Sequence, residues 1–169
     1  QQAIYANPAN LSLVEVLAGI QAENGMLDEA IKTLQNSIAK ADKSDTMSVA
    51  RLQLTVGQLY ADAGKDREAI AALEGALKTQ GVGDQPLVEE GDRFFATQVL
   101  SSIIQLHKGR QRYDEAKAVI ERARVLLGKE DTFADLQTLK LLTDSGKKAE
   151  ALKEIRALRV KTPANEEYF

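Results

Sequence analysis

The residues that could do chemistry are few, and their spacing gives them little to do together. His107 is the single histidine and there is no cysteine, so a zinc site would have to be built from one imidazole with no adjacent cluster of further ligands. Paired carboxylates occur at Asp28-Glu29, Glu89-Glu90, Asp114-Glu115 and Glu166-Glu167. Joint acid–base work needs two groups facing one substrate, and neighbours on a helix point about 100° apart. Most of these pairs also fall in first helical turns, where the helix dipole favours negative charge. Ser101 and Ser102 could be nucleophiles only with His107 as base, but Ser102 and His107 do not share a helix face and no sharp nucleophile turn surrounds them. Gly81-Val82-Gly83 lacks both the lysine of a phosphate loop and the third glycine of a dinucleotide turn. The expectation is therefore no catalytic residue, no cofactor-binding residue and no metal ligand set. Lys108, Arg110 and Arg112 straddle a turn, where a solvated loop explains them better than an anion grip.

What remains is recognition, and the elements that would present it are helices. The chain has 169 residues, 44% of them apolar, with 5% aromatics and no tryptophan, so its core must come from Ala, Leu, Ile and Val. Three prolines, and glycines placed mostly between periodic segments, suit an all-helical chain. The absence of cysteine excludes disulfides and fits the cytoplasm or a bacterial periplasm equally. No apolar run approaches the roughly 20 residues that span a bilayer. Net charge is −3, with no electrostatic basis for expecting nucleic acid; residues 1–100 hold 8 basic and 14 acidic side chains, the remainder 14 and 11.

Apolar residues recur at helical spacing in eight segments: Leu11–Asn24, Leu27–Ala41, Thr46–Ala63, Asp66–Gln80, Leu87–Lys108, Tyr113–Leu127, Thr132–Ser145 and Lys147–Val160. A phrase repeats at the start of every second segment: GMLDEAIKTL (25–34), GKDREAIAAL (64–73), QRYDEAKAVI (111–120) and GKKAEALKEI (146–155). Short links within each pair predict antiparallel neighbours. Gly81–Pro86 is the most turn-rich stretch and the expected joint. No segment alternates with period two, so no sheet is expected.

These pairs resemble the tetratricopeptide repeat, a helix pair of about 34 residues with a packed alanine early in its second helix. That alanine resembles Ala30, Ala69, Ala116 and Ala151. The second copy is the fullest match, with Val56, Gly57 and Tyr60 in its first helix and Leu73 and Ala76 in its second. The first copy has Gln21 at the aromatic position; the third has His107 there, Gln111 for the turn glycine and Ile104 for the small residue; the fourth has Thr138 where leucine is usual. The resemblance implies an all-α, right-handed superhelical solenoid over residues 1–169. Its repeats would lie near 11–45, 46–80, 87–128 and 132–163, with partial repeats at 1–8 and 164–169. Those ends read as an excerpt of a longer array.

The same resemblance implies a non-enzymatic scaffold binding a protein or peptide in a concave groove lined by the first helices. The polar positions on that face are Ser12, Glu15, Arg51, Gln58, Asp62, Gln98, Ser101, Gln105, Lys108, Gln137 and Lys140, with Arg51, Gln58, Gln98, Ser101, Gln105, Lys108 and Lys140 the expected partner contacts. Glutamines suit a bound backbone because they donate and accept. The basic-and-asparagine set with which some relatives hold a chaperone's C-terminal carboxylate is replaced here by Glu15, Gly19, Thr55, Gln98 and Ser102. The alternatives are a docking or regulatory arm of a larger enzyme or signalling protein, and self-association through the ends.

Overall fold

A computed structural model describes residues 11–42, 44–128 and 130–161. The expected partial repeats at 1–8 and 164–169 lie outside them. Eight helices follow one another among the described residues: α1 (Leu11–Glu23), α2 (Leu27–Lys40), α3 (Thr46–Asp62), α4 (Asp66–Thr79), α5 (Glu90–Gly109), α6 (Tyr113–Leu127), α7 (Phe133–Asp144) and α8 (Lys148–Lys161). There is no strand among those residues.

Each pair is joined by the same hydrogen-bonded turn. At Gly25 the amide N–H donates to Ala22 O at 2.9 Å and the next N–H, of Met26, donates to Gln21 O at 2.9 Å. The two bonds satisfy carbonyls that the helix end leaves unpaired, and they require a left-handed residue at the turn. Gly64 and Gly146 repeat the arrangement at φ 70° and 78°, and Gln111 repeats it at φ 56° without being a glycine.

The first helices of neighbouring pairs approach closely along their backbones, α1 with α3, α3 with α5 and α5 with α7, whereas successive second helices stand farther apart, α4 and α6 being bridged by side chains such as Glu74 and Arg122. The stack therefore curves with its first helices inside. Ala30, Ala69 and Ala116 are fully buried and Ala151 nearly so. At Gly57 an added Cβ would lie 2.7 Å from Leu73 Cγ, so α3 and α4 approach at a distance only glycine permits. Three apolar clusters bridge successive pairs: Val14, Leu34, Leu52 and Val56 join the first two, Leu73, Leu77, Val99 and Leu100 the second and third, and Ile104, Ile120, Ala134 and Leu141 the third and fourth.

Two local expectations change. Helix α5 starts at Glu90 rather than Leu87: Glu89 before it is still extended, at ψ 132°, and the Leu87 N–H donates to Leu126 O at 2.8 Å. The stretch expected as a joint is fastened at both ends, by this bond and by Val82, which follows the left-handed Gly81 and is 7% exposed in the core.

Ion pairs cross every interface. Arg51–Glu15 and Lys65–Asp28 join pairs one and two; Arg110 and Arg112 on Asp66, and Arg122 on Glu74, join two and three; Arg93–Asp131, Lys108–Asp144 and Arg124–Asp135 join three and four. Exposed pairs are worth at most about 1 kcal/mol each, so they set register more than they stabilise.

Candidate functional site

A groove runs across the inner face, and its walls are helices α3 and α5. One section, about 690 Å³, is lined by Gln58, Asp62, Gln98, Ser101, Gln105 and Arg110 among others. A second section, about 540 Å³, is lined by Glu15, Met47, Arg51, Phe94 and Phe95. Leu54, Gln58 and Gln98 border both, so the two are continuous.

The helical period puts these side chains in one file. Gln98, Ser101 and Gln105 stand three, four and seven positions apart on α5, and Arg51, Gln58 and Asp62 follow one another at seven and four positions on α3. Gln58, Gln98 and Gln105 are exposed. Their amides make no hydrogen bond among the described residues, whereas Gln35 and Gln80 elsewhere donate to Tyr60 Oη at 3.0 Å and Asp92 Oδ1 at 2.8 Å.

The structure divides the expected contacts. Gln58, Gln98, Ser101 and Gln105 come together on the groove wall, and Arg51 lines its other section while paired to Glu15 at 3.1 Å. Lys108 does not line either section; its side chain is 9% exposed and its ammonium sits 2.7 Å from Asp144 Oδ2. Lys140 is exposed on α7, away from both sections. Gln137 is 5% exposed and its Oε1 has no partner among the described residues, because α7 turns Ala134, Gln137 and Leu141 inward together.

Phe94 and Met47 are groove residues that the helical pattern assigned to no site. The signal was present at Phe94-Phe95: consecutive helical residues cannot share a face, and with Phe95 at 4% exposure Phe94 is left at 67%.

The charges near the groove are mostly neutralised in place. Hydrogen bonds from Arg110, at 2.8 and 3.1 Å, hold the Asp66 carboxyl below its usual range, and Arg112 adds a third at 2.9 Å. The Lys65 ammonium is raised by its bond to Asp28. His107 is half-buried at the position of Tyr60 in the pair before; burial, then the neighbouring Arg112, lower its pKa. Among the described residues no three His, Asp or Glu side chains gather as a metal site, and no helix is long and apolar enough to cross a membrane.

Geometry of this kind defines a helical-repeat solenoid whose inner face is a groove. No family model and no curated protein matches the sequence. The structure is similar to that of a tetratricopeptide repeat protein from Parabacteroides merdae, with a TM-score of 0.63 at 18% identity over 99% of this chain. The fold is the tetratricopeptide type. The chain spans 59% of that protein's length.

Proposed function

We propose that the chain is a non-enzymatic interaction module that holds a peptide or a segment of a protein partner in the groove between α3 and α5. The observation that carries this reading is the file of uncommitted amides at Gln58, Gln98 and Gln105 on the inner wall. An extended peptide presents alternating N–H and C=O groups, and a primary amide answers both. The groove's size suits a single strand of chain better than a globular surface. Of the paired carboxylates, Asp28-Glu29, Glu89-Glu90 and Asp114-Glu115 stand at helix starts, and His107 lies in the last turn of α5.

A photo-crosslinking amino acid in place of Gln98 tests the reading. It should trap a partner from cell extract, and the adduct should fade when Gln58 and Gln105 are changed to Ala. The same probe in place of Lys78, exposed on second helix α4, should trap nothing specific. Adducts from the Lys78 position alone would move the site to the outer face.

A further inference from the structure

The groove carries different chemistry at its two ends. Where α3 and α5 begin, its lining includes Met47 and Phe94, which are 41% and 67% exposed. Two large apolar side chains thus stand in water along one section of wall. Where α3 and α5 end, the lining includes Asp62, Asp66, Gly109 and Arg110. Asp66 is answered by Arg110 and Arg112, and at the other end Glu15 is answered by Arg51. Asp62 is exposed and makes no ion pair among the described residues. It also stands in the last turn of α3, where the helix dipole adds partial negative charge.

We infer that the groove takes an extended peptide with a Lys or Arg at the Asp62 end and a large apolar side chain at the Met47–Phe94 end. This rests on the groove reading above and adds to it a polarity and a ligand class. The spacing follows from the helix. Met47 and Asp62 are fifteen positions apart on α3, about 22 Å at 1.5 Å per residue. Extended chain advances about 3.3 Å per residue, so about six or seven residues separate the two anchors. The amides of Gln58, Gln98 and Gln105 line the interval. An acidic peptide fits poorly, since it would meet Asp62 while the guanidiniums at that end are already engaged on Asp66.

Selection of a random peptide library displayed on phage against the whole chain tests this, with affinities of the enriched peptides read by fluorescence anisotropy. Enriched peptides should carry Lys or Arg about six or seven positions from Leu, Ile, Met or Phe. Asp62→Lys should weaken them about five-fold, in the range of an exposed ion pair, and reselection on that variant should favour acidic residues instead. Phe94→Ser should weaken them about ten-fold and erase the apolar preference. Both side chains are exposed, so circular dichroism should be unchanged by either substitution. Peptides that lack the basic residue, or that ignore Asp62→Lys and Phe94→Ser while Gln58→Ala and Gln105→Ala weaken them, would overturn the polarity and leave the groove standing. No enriched peptide, or peptides indifferent to all four substitutions, would overturn both.

Discussion

The second and fourth helix pairs are written in the same repeated phrase and are buried to different depths. In pair two, Leu52, Leu73, Ala76 and Leu77 are all shielded from water, and Gly57 lets the helices close on one another. In pair four, α7 buries Ala134, Gln137 and Leu141, and α8 buries Ala151 and Leu158. Position for position, fully buried Leu73 corresponds to half-buried Ile155, and Gly57 to half-buried Leu139. Pair two has a described neighbour on each side and pair four has one. In a stacked array a repeat's stability depends on its neighbours as well as on its own sequence, so the same phrase yields different depths of burial.

The largest contrast should come from truncating the equivalent side chain in each pair. Leu73→Ala removes a side chain at the junction of α3, α4 and α5 and should cost about 3–4 kcal/mol, as buried Leu→Ala changes do. Ile155→Ala, half-exposed on α8, should cost about 1 kcal/mol. Urea unfolding followed by circular dichroism measures both. Equal losses would mean that pair four is as closely packed as pair two and would end the comparison.

Next in size is a glycine test inside the first helices. Gly57→Ala places a methyl 2.7 Å from Leu73 Cγ, 2.8 Å from its Cδ2 and 3.2 Å from the Ala69 carbonyl oxygen. The side chain can shift but the backbone oxygen cannot, and overpacking of this kind costs about 1–3 kcal/mol. Gly19→Ala on α1 meets nothing within 4 Å and should gain about 0.5–1 kcal/mol from helix propensity. The opposite signs, read as shifts in urea midpoint, would show that the close approach belongs to pair two.

These contrasts also mark how far the sequence could be read. Helix number, pairing and the buried alanines were legible because each is a local matter of periodicity and turn chemistry. Gln98, Ser101 and Gln105 were legible as one file because a single helix fixes their spacing. Lys108 and Gln137 were not, since each depends on a neighbouring helix: Asp144 on α7 captures the lysine, and the inward turn of α7 buries the glutamine. The segment expected to begin α5 at Leu87 is not yet helical at Glu89, which is extended, and Leu87 bonds instead to Leu126, far along the chain. Phe94 was legible as apolar but not as exposed, because only the packing of Phe95 decides which of the two rings faces water.

A smaller effect separates the turns of pairs two and three. Gln111 holds φ 56° where Gly64 holds 70°, and in each turn that residue and the one after it donate the same pair of hydrogen bonds. A left-handed non-glycine residue costs about 1–2 kcal/mol, part of which glycine forfeits through its freer unfolded chain. Gln111→Gly should therefore gain about 0.5–1 kcal/mol, read as a rise in urea midpoint. A loss would mean that the Gln111 side chain makes a compensating contact.

The smallest expected effect concerns the slot occupied by Tyr60 in pair two and His107 in pair three. Tyr60 accepts a hydrogen bond from Gln35 at 3.0 Å, whereas His107 keeps Nδ1 buried without a partner among the described residues. Burial and then Arg112 push the His107 pKa down from 6.5, against weaker upward pulls from Glu115 and Asp66. The folded chain therefore resists a proton that the unfolded chain accepts. Stability is undiminished by this group above the unfolded value of 6.5 and falls as pH drops below it, until the folded histidine also titrates. His107→Tyr makes the slot the same in both pairs and removes that term. The decline in urea midpoint between about pH 7.5 and about pH 5.5 should become shallower in the variant, whatever the substitution does to stability at neutral pH. An unchanged slope would mean that His107 titrates alike in both states, and the two slots would then differ in packing alone.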